Sequence, residues 1–213
     1  MRSNGHEVYC PTLTGLGERS HLRTLEVGLA IHILDIANVV EFEDPCDITL
    51  VGHSYGGMVI TGVADKMTGR IAHLVYLDAI FPEVGQSVSG FFGTGFVEGL
   101  LRGSETDWLI PVPKDDHPFG ITSDADSKWV KRNLVPQPLK TFTEPLQFDP
   151  GRVERVHRSY VYCRRPGSLL TPLANRFRDD PSWGYREIST GHDAMITEPL
   201  KVAQILVDLS QRV

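Results

Sequence analysis

The stretch LVGHSYGGMVI, residues 50–60, sets Ser54 in a G-x-S-x-G frame between two apolar runs. The frame is short and recurs by chance, so its weight comes from its flanks. ITLVG (48–52) is apolar at both alternating sets of positions, as a central parallel strand would be. Gly56 through Met67 carries a helical pattern, and IAHLVYLDAIF (71–81) is a second buried strand. Strand, helix and strand in succession make a βαβ unit, which implies a parallel sheet. A serine on the sharp turn between strand and helix is held in strained φ/ψ with its hydroxyl above the sheet. The helix N-terminus favours negative charge beside it. Gly52 and Gly56 are the positions where a Cβ is expected to collide with neighbouring backbone.

Working outward, HEVYCPTL (6–13) reads as a short strand ended by Pro11, followed by a loop in which Gly15 and Gly17 supply turns. Leu29, Ile33, Ile36 and Val40 make one apolar stripe, which predicts a helix over 28–43. Beyond Pro82 the pattern degrades, with many glycines and seven prolines between 111 and 150. Residues 82–157, approximately, are read as a cap inserted between two sheet strands. Regular α/β alternation resumes with SYVYC (159–163), a helix near 172–179, YREI (185–188) and a last helix around 198–210. The predicted architecture is one domain, 1–213, with a mostly parallel sheet and helices on both faces.

Composition narrows the function. With 41% hydrophobic and 23% charged residues the chain is an ordinary globular protein, and its net charge of −6 argues against a polyanion-binding surface. No nucleic-acid partner is expected. No apolar run approaches the roughly 20 residues of a membrane span, and the N-terminus has no secretory pattern, so a cytoplasmic protein is expected. Cys10, Cys46 and Cys163 have no CxxC spacing and read as buried thiols in a reducing compartment, with no disulfide or zinc framework.

A serine nucleophile needs a general base. His53 adjoins Ser54, but neighbours on such a turn point in different directions. His73 starts a buried strand, and His6, His21, His32, His117 and His157 lie in loops or on helix faces. His192 follows the last predicted strand in a glycine-hinged loop, EISTGHDAMITEPLKV. Loops at the carboxyl ends of parallel strands meet above the sheet, where Ser54 also sits. His192 is therefore the candidate base.

The segments GHEVYCPTLTGLGERSHL, LVGHSYGGMVI, HLVYLDAIFP and GHDAMITEP, in this order, resemble the α/β-hydrolase superfamily. The likeness is to the small-esterase group that also holds plant methyl-ester esterases and hydroxynitrile lyases. It implies a Ser–Asp/Glu–His triad, no cofactor, no metal, and a cap-covered apolar pocket for a small ester. In the plant members the acid follows a segment resembling YVYC, where this chain reads Cys163-Arg164-Arg165-Pro166, with no carboxylate. The physical requirement is a carboxylate within reach of the imidazole, not one on a particular strand. Asp78 ends the strand after the nucleophile's helix and, buried among Leu77, Ala79 and Ile80, needs a partner. It is the candidate acid, as in haloalkane dehalogenases, which this arrangement resembles. Asp193, adjacent to His192, has poor geometry for the role.

The backbone N–H of Tyr55 is the candidate oxyanion donor. The family's other donor comes from a strand–HG loop–helix unit ahead of GHEVY, and only five residues precede His6. The resemblance therefore leads us to expect an N-terminally truncated form, with EVYC paired to ITLVG or an edge left open, and possible homodimer pairing across it. His53, Phe81, Phe91, Phe92, Phe96, Trp108 and Trp129 are candidates for the substrate wall. The leading expectation is a serine esterase acting on small apolar carboxylic esters through an acyl-enzyme. A hydroxynitrile lyase would carry a lysine where Asp193 stands, and a catalytically silent hydrolase-fold protein is the non-enzymatic alternative.

Overall fold

A computed structural model describes residues 1–116 and 118–211. His117, read above as a loop or helix-face histidine, lies outside the described residues. The helix α1 (Leu29–Glu43) begins after a loop whose residues 17–22 form a 3-10 turn. β1 (Ile48–His53), α2 (Gly56–Lys66) and β2 (Ile71–Leu77) follow as the predicted βαβ unit, with β1 and β2 parallel and His53 opposite Leu77.

The chain then leaves the sheet. It passes through α3 (Val88–Phe92), α4 (Phe96–Leu101), β3 (Leu109–Ile110), α5 (Asp124–Asn133), β4 (Gln137–Pro138), α6 (Lys140–Thr143) and α7 (Pro150–Glu154). β3 and β4 make a separate antiparallel pair. β5 (His157–Cys163), α8 (Thr171–Arg178), β6 (Gly184–Ile188), α9 (Ala194–Thr197) and α10 (Pro199–Ser210) complete the fold. The main sheet has the order β1-β2-β5-β6, all parallel.

Strand alternation divides the core between two faces, because successive side chains point to opposite sides. Leu74 and Tyr76 of β2 and Tyr160 and Tyr162 of β5 pack with Leu29, Ile33 and Val40 of α1, Met58 and Val63 of α2, and Leu173 and Phe177 of α8. Val75, Leu77, Val161, Cys163 and Ile188 turn the other way, against Val202 and Leu209 of α10. Helices therefore cover both faces, as predicted. No helix among the described residues is long and apolar enough to cross a membrane.

The structure corrects three local readings. Residues 6–13 form no strand: none of them is buried and Tyr9 is 41% exposed, so little apolar burial offsets the ordering of the backbone. β1 accordingly pairs on one side only among the described residues, so it is an edge of this sheet rather than a central strand, and Val51 is 38% exposed. Cys10 and Cys46 are exposed, and among the three cysteines Cys163 alone is buried. Cys10 lies in the segment that forms no strand, and Cys46 in the turn that ends α1, where neither meets the core.

Candidate active site

Ser54 follows the last residue of β1 with φ 54, in the left-handed region that non-glycine residues rarely occupy. The surrounding backbone holds it there. Its N–H donates to the Leu77 carbonyl at 3.3 Å, and its own carbonyl accepts from Gly57 N and Ile80 N, each at 3.1 Å. A Cβ at Gly52 would lie 2.5 Å from the Gly56 carbonyl oxygen, so the first glycine of the frame is required by contact. The second is not: a Cβ at Gly56 would meet nothing within 4 Å, while at Gly57 it would lie 2.0 Å from the Ile80 oxygen. The crowding falls one residue later than the sequence suggested, because the segment after β2 crosses over the start of α2. The Tyr55 N–H has no acceptor among the described residues, and it points from the first turn of α2, where a helix N-terminus favours negative charge. The Tyr55 side chain is buried and bonded to His32 (Oη to Nδ1, 3.0 Å), whose Nε2 donates to the Thr14 carbonyl at 2.9 Å. His32 is thus a structural histidine supporting the residue after the serine.

Asp78 follows the last residue of β2 and is also left-handed, with φ 41. Its N–H donates to Val161 O at 2.7 Å. The side chain is fully buried and fully used. Oδ2 accepts from His192 Nδ1 at 2.5 Å and from Arg165 Nη1 at 2.9 Å, and Oδ1 accepts from the Cys163 N–H at 3.3 Å. The structure therefore brings the predicted base and acid together. It also explains the arginine found where the plant pattern has a carboxylate: Arg165 reaches across to Asp78.

The loop carrying His192 is seated from several sides. Its N–H donates to the Phe119 carbonyl at 2.8 Å, and its carbonyl accepts from Ala194 N at 3.0 Å and from His53 Nε2 at 3.0 Å. Phe119 is a third left-handed residue, φ 58, and the adjoining Gly120 lies against Gly191 so closely that a Cβ on Gly191 would be 2.4 Å from the Gly120 oxygen. Ser54, Asp78 and Phe119 are three of the five non-glycine residues with positive φ among the described residues, so backbone strain concentrates at this site. Sequence reasoning missed Phe119 and Arg165. The first sits in a stretch without periodicity. The second carries the wrong charge for the acid, and its partner is 87 positions away.

The His53 ring lies 4.4 Å from that of His192, tilted at 44° to it. With its Nε2 proton donated to the His192 carbonyl, it helps hold the backbone of that loop in place. His53, His192 and Asp193 bring one ligand atom each within 4.8 Å of one another. His53 Nε2, the nitrogen that lies 3.8 Å from the Asp193 carboxylate, carries this proton and so has no lone pair for a metal.

Burial holds the His53 imidazolium off, driving its pKa down to about 3, and it lowers His32 and His73 as well. All three rings bind protons less readily folded than unfolded. The stability this carries is complete above about pH 6.5 and is lost as pH falls toward the folded values. Asp193, raised by burial, carries the opposite sign in the carboxylate range. The melting temperature should fall between pH 7 and pH 5 at constant ionic strength; a flat profile would mean that these rings are protonated in the folded protein.

The aromatic candidates separate. Phe81, four residues after the end of β2, packs edge-on against Tyr76, Phe177 and Trp183 beside the main core. Trp129 is 53% exposed on α5, whose buried residues are Ser127 and Val130. Trp108 is half-buried at the start of the β3 segment, its carbonyl accepting from Leu139 N. Phe91 and Phe92 meet edge-on, and Phe92 stacks on Phe96 at 4.4 Å. Phe96 lies 6.4 Å from Phe142, which lies 5.5 Å from Tyr55. An aromatic row thus runs from α3 to the residue after the serine, and Phe142 is a member the sequence did not single out.

A parallel sheet with a serine, a carboxylate and a histidine after the carboxyl ends of three of its strands, β1, β2 and β6, defines the hydrolase class of α/β fold. The family described as the alpha/beta hydrolase family matches residues 1–205, and the chain belongs to it. A carbendazim hydrolyzing esterase of Nocardioides sp. (strain SG-4G) is 37% identical over 222 residues, covering 98% of this chain and 90% of that protein. Among solved structures, an extracellular α/β-hydrolase from a Paenibacillus species superposes with a TM-score of 0.82 at 24% identity, covering 97% of this chain and 88% of the other. Polyneuridine aldehyde esterase superposes with a TM-score of 0.76 at 21% identity, covering 98% and 90%. These two show likeness of fold.

Proposed function

We propose that this chain hydrolyses small carboxylic esters by a serine mechanism, with Ser54 as nucleophile, His192 as base, Asp78 as acid and the Tyr55 N–H as an oxyanion donor. Membership of the hydrolase family and identity to a named esterase support ester hydrolysis. The observation that carries the mechanism is the 2.5 Å bond between His192 Nδ1 and the fully buried Asp78. That bond commits the Nδ1 proton to the carboxylate, leaving Nε2 as the acceptor.

Ser54 Oγ forms a bond to the ester carbonyl carbon while its proton passes to His192 Nε2. The oxyanion is held by the Tyr55 N–H. The C–O bond to the alkoxy group then breaks, and the alcohol leaves with the proton from Nε2. Water, deprotonated by the same nitrogen, attacks the acyl-enzyme, and the acid is released as the proton returns to Ser54. The excursion between β2 and β5 serves as the cap, with Phe92, Phe96 and Phe142 as the apolar row suited to a small ester.

The test is hydrolysis of p-nitrophenyl acetate together with labelling by a fluorophosphonate probe. The wild-type chain should release p-nitrophenol and carry the probe on Ser54 in peptide mass spectra, and Ser54→Ala should do neither. Probe found on another residue, or an active alanine variant, would remove Ser54 from the mechanism. An inactive, unlabelled wild-type chain that melts cooperatively would instead favour the silent hydrolase-fold reading.

A further inference from the structure

Arg165 donates to the same oxygen of Asp78 that accepts from His192: Oδ2 lies 2.9 Å from Arg165 Nη1 and 2.5 Å from His192 Nδ1. The carboxylate is fully buried, while the arginine side chain is 28% exposed and enters from the turn after β5. We propose that Arg165 is a positioning residue that sets the charge of the acid–base pair, holding Asp78 in place and neutralising it in advance. The proposal rests on the reading of His192 and Asp78 as base and acid.

The physical argument concerns what happens when His192 takes a proton. In a triad whose carboxylate has no other cation, the imidazolium completes an ion pair. Here the pair Asp78–Arg165 already exists, and turnover adds a second cation to one oxygen. The guanidinium therefore opposes imidazolium formation by already occupying the carboxylate oxygen that would stabilise it.

Other charged and titratable groups around His192 do not supply this effect. From β1, His53 is held neutral by burial. From β5, the Cys163 thiol is pushed up to about 12 by burial and the Tyr160 phenol is pushed upward, so both stay neutral. From the histidine's own loop, Asp193 lies 3.8 Å from His53 Nε2, and a carboxylate there would favour the imidazolium rather than oppose it. Arg165 is the cation in contact with the acid.

The experiment compares Arg165→Gln, which keeps a donor and removes the charge, with Arg165→Lys, which keeps the charge. The rate profile of kcat/KM for p-nitrophenyl acetate from pH 5 to 9 is the first readout. The acid limb of Arg165→Gln should move up by about one pH unit, so that below the limb it is about tenfold slower relative to its plateau. Arg165→Lys should keep the wild-type limb. A merely structural arginine would lower the plateau of both without moving the limb.

The second readout needs no turnover: in protein labelled at the histidine rings, the His192 resonance, assigned through its loss in His192→Gln, should titrate at higher pH in Arg165→Gln. Should that variant not fold, Arg165→Ala serves, with millimolar guanidinium expected to return the limb and the resonance toward wild type. Superimposed wild-type and neutral-variant titrations would overturn the proposal even if Ser54 is the nucleophile. A shifted His192 titration in a chain whose Ser54→Ala variant stays active would uphold it while removing the serine mechanism.

Discussion

His192→Ala should lower kcat for p-nitrophenyl acetate by about 10⁶, the loss measured when the base of a serine triad is removed. It should also abolish fluorophosphonate labelling at Ser54. An unactivated hydroxyl is a weak nucleophile at neutral pH, and no other histidine can take over. His53 is the nearest ring, but its Nε2 proton is committed to the His192 carbonyl and burial suppresses its protonation. His32 lies on the far side of Tyr55, bound to Thr14. The His192 side chain is partly exposed, so alanine there opens space toward solvent rather than an enclosed cavity. The melting temperature should change little, which separates lost chemistry from lost fold. Labelling of this variant at the wild-type rate would remove His192 as the base.

Asp78→Asn should cut kcat by about 10⁴. The reason is geometric as well as electrostatic. Arg165, His192 Nδ1 and the Cys163 N–H all donate to this side chain. An asparagine presents one oxygen and one NH₂ group to them. If the oxygen faces Cys163, the amide hydrogens face His192 and Arg165. The imidazole must then accept at Nδ1 and carry its proton on Nε2, the tautomer that cannot take the serine proton. If the oxygen faces His192 and Arg165, the amide hydrogens confront the Cys163 N–H, and the imidazolium has lost its counter-charge. Either orientation leaves buried donors opposed, so thermal stability should drop by about 1–3 kcal/mol as kcat falls. Wild-type kcat in a folded Asp78→Asn protein would shift the acid role to Asp193, which Asp193→Asn would then expose.

Much of the site was legible from local pattern. The apolar runs on either side of Ser54 specify a strand and a helix, and a serine between them can only sit on the turn. The glycine hinge before His192 and its place between the last strand and the last helix put it at the carboxyl edge. Asp78 was legible through cost: a carboxylate inside VYLDAIF must find a partner. Other features were not legible. The crowding at Gly57 rather than Gly56 depends on where Ile80 crosses α2. The aromatic row depends on α6 placing Phe142 between Phe96 and Tyr55. The sequence also overstated two elements, a strand at 6–13 and a central position for β1.

By itself, then, the sequence determined the βαβ unit and the parallel sheet with helices on both faces, and it singled out the serine, the histidine and the aspartate that lie at the carboxyl edge of that sheet. Each is written in periodicity or in the cost of burying a lone charge, and both act within a few residues. Only the tertiary structure decided how those groups are held. The register that sets Asp78 beside Val161 brings the Cys163 N–H and Arg165 onto one buried carboxylate. The meeting of Gly120 with Gly191 seats the histidine loop under the Phe119 carbonyl. Such contacts join segments far apart in the chain, and their energy comes from burying a charge with its partners in place, which no local pattern encodes.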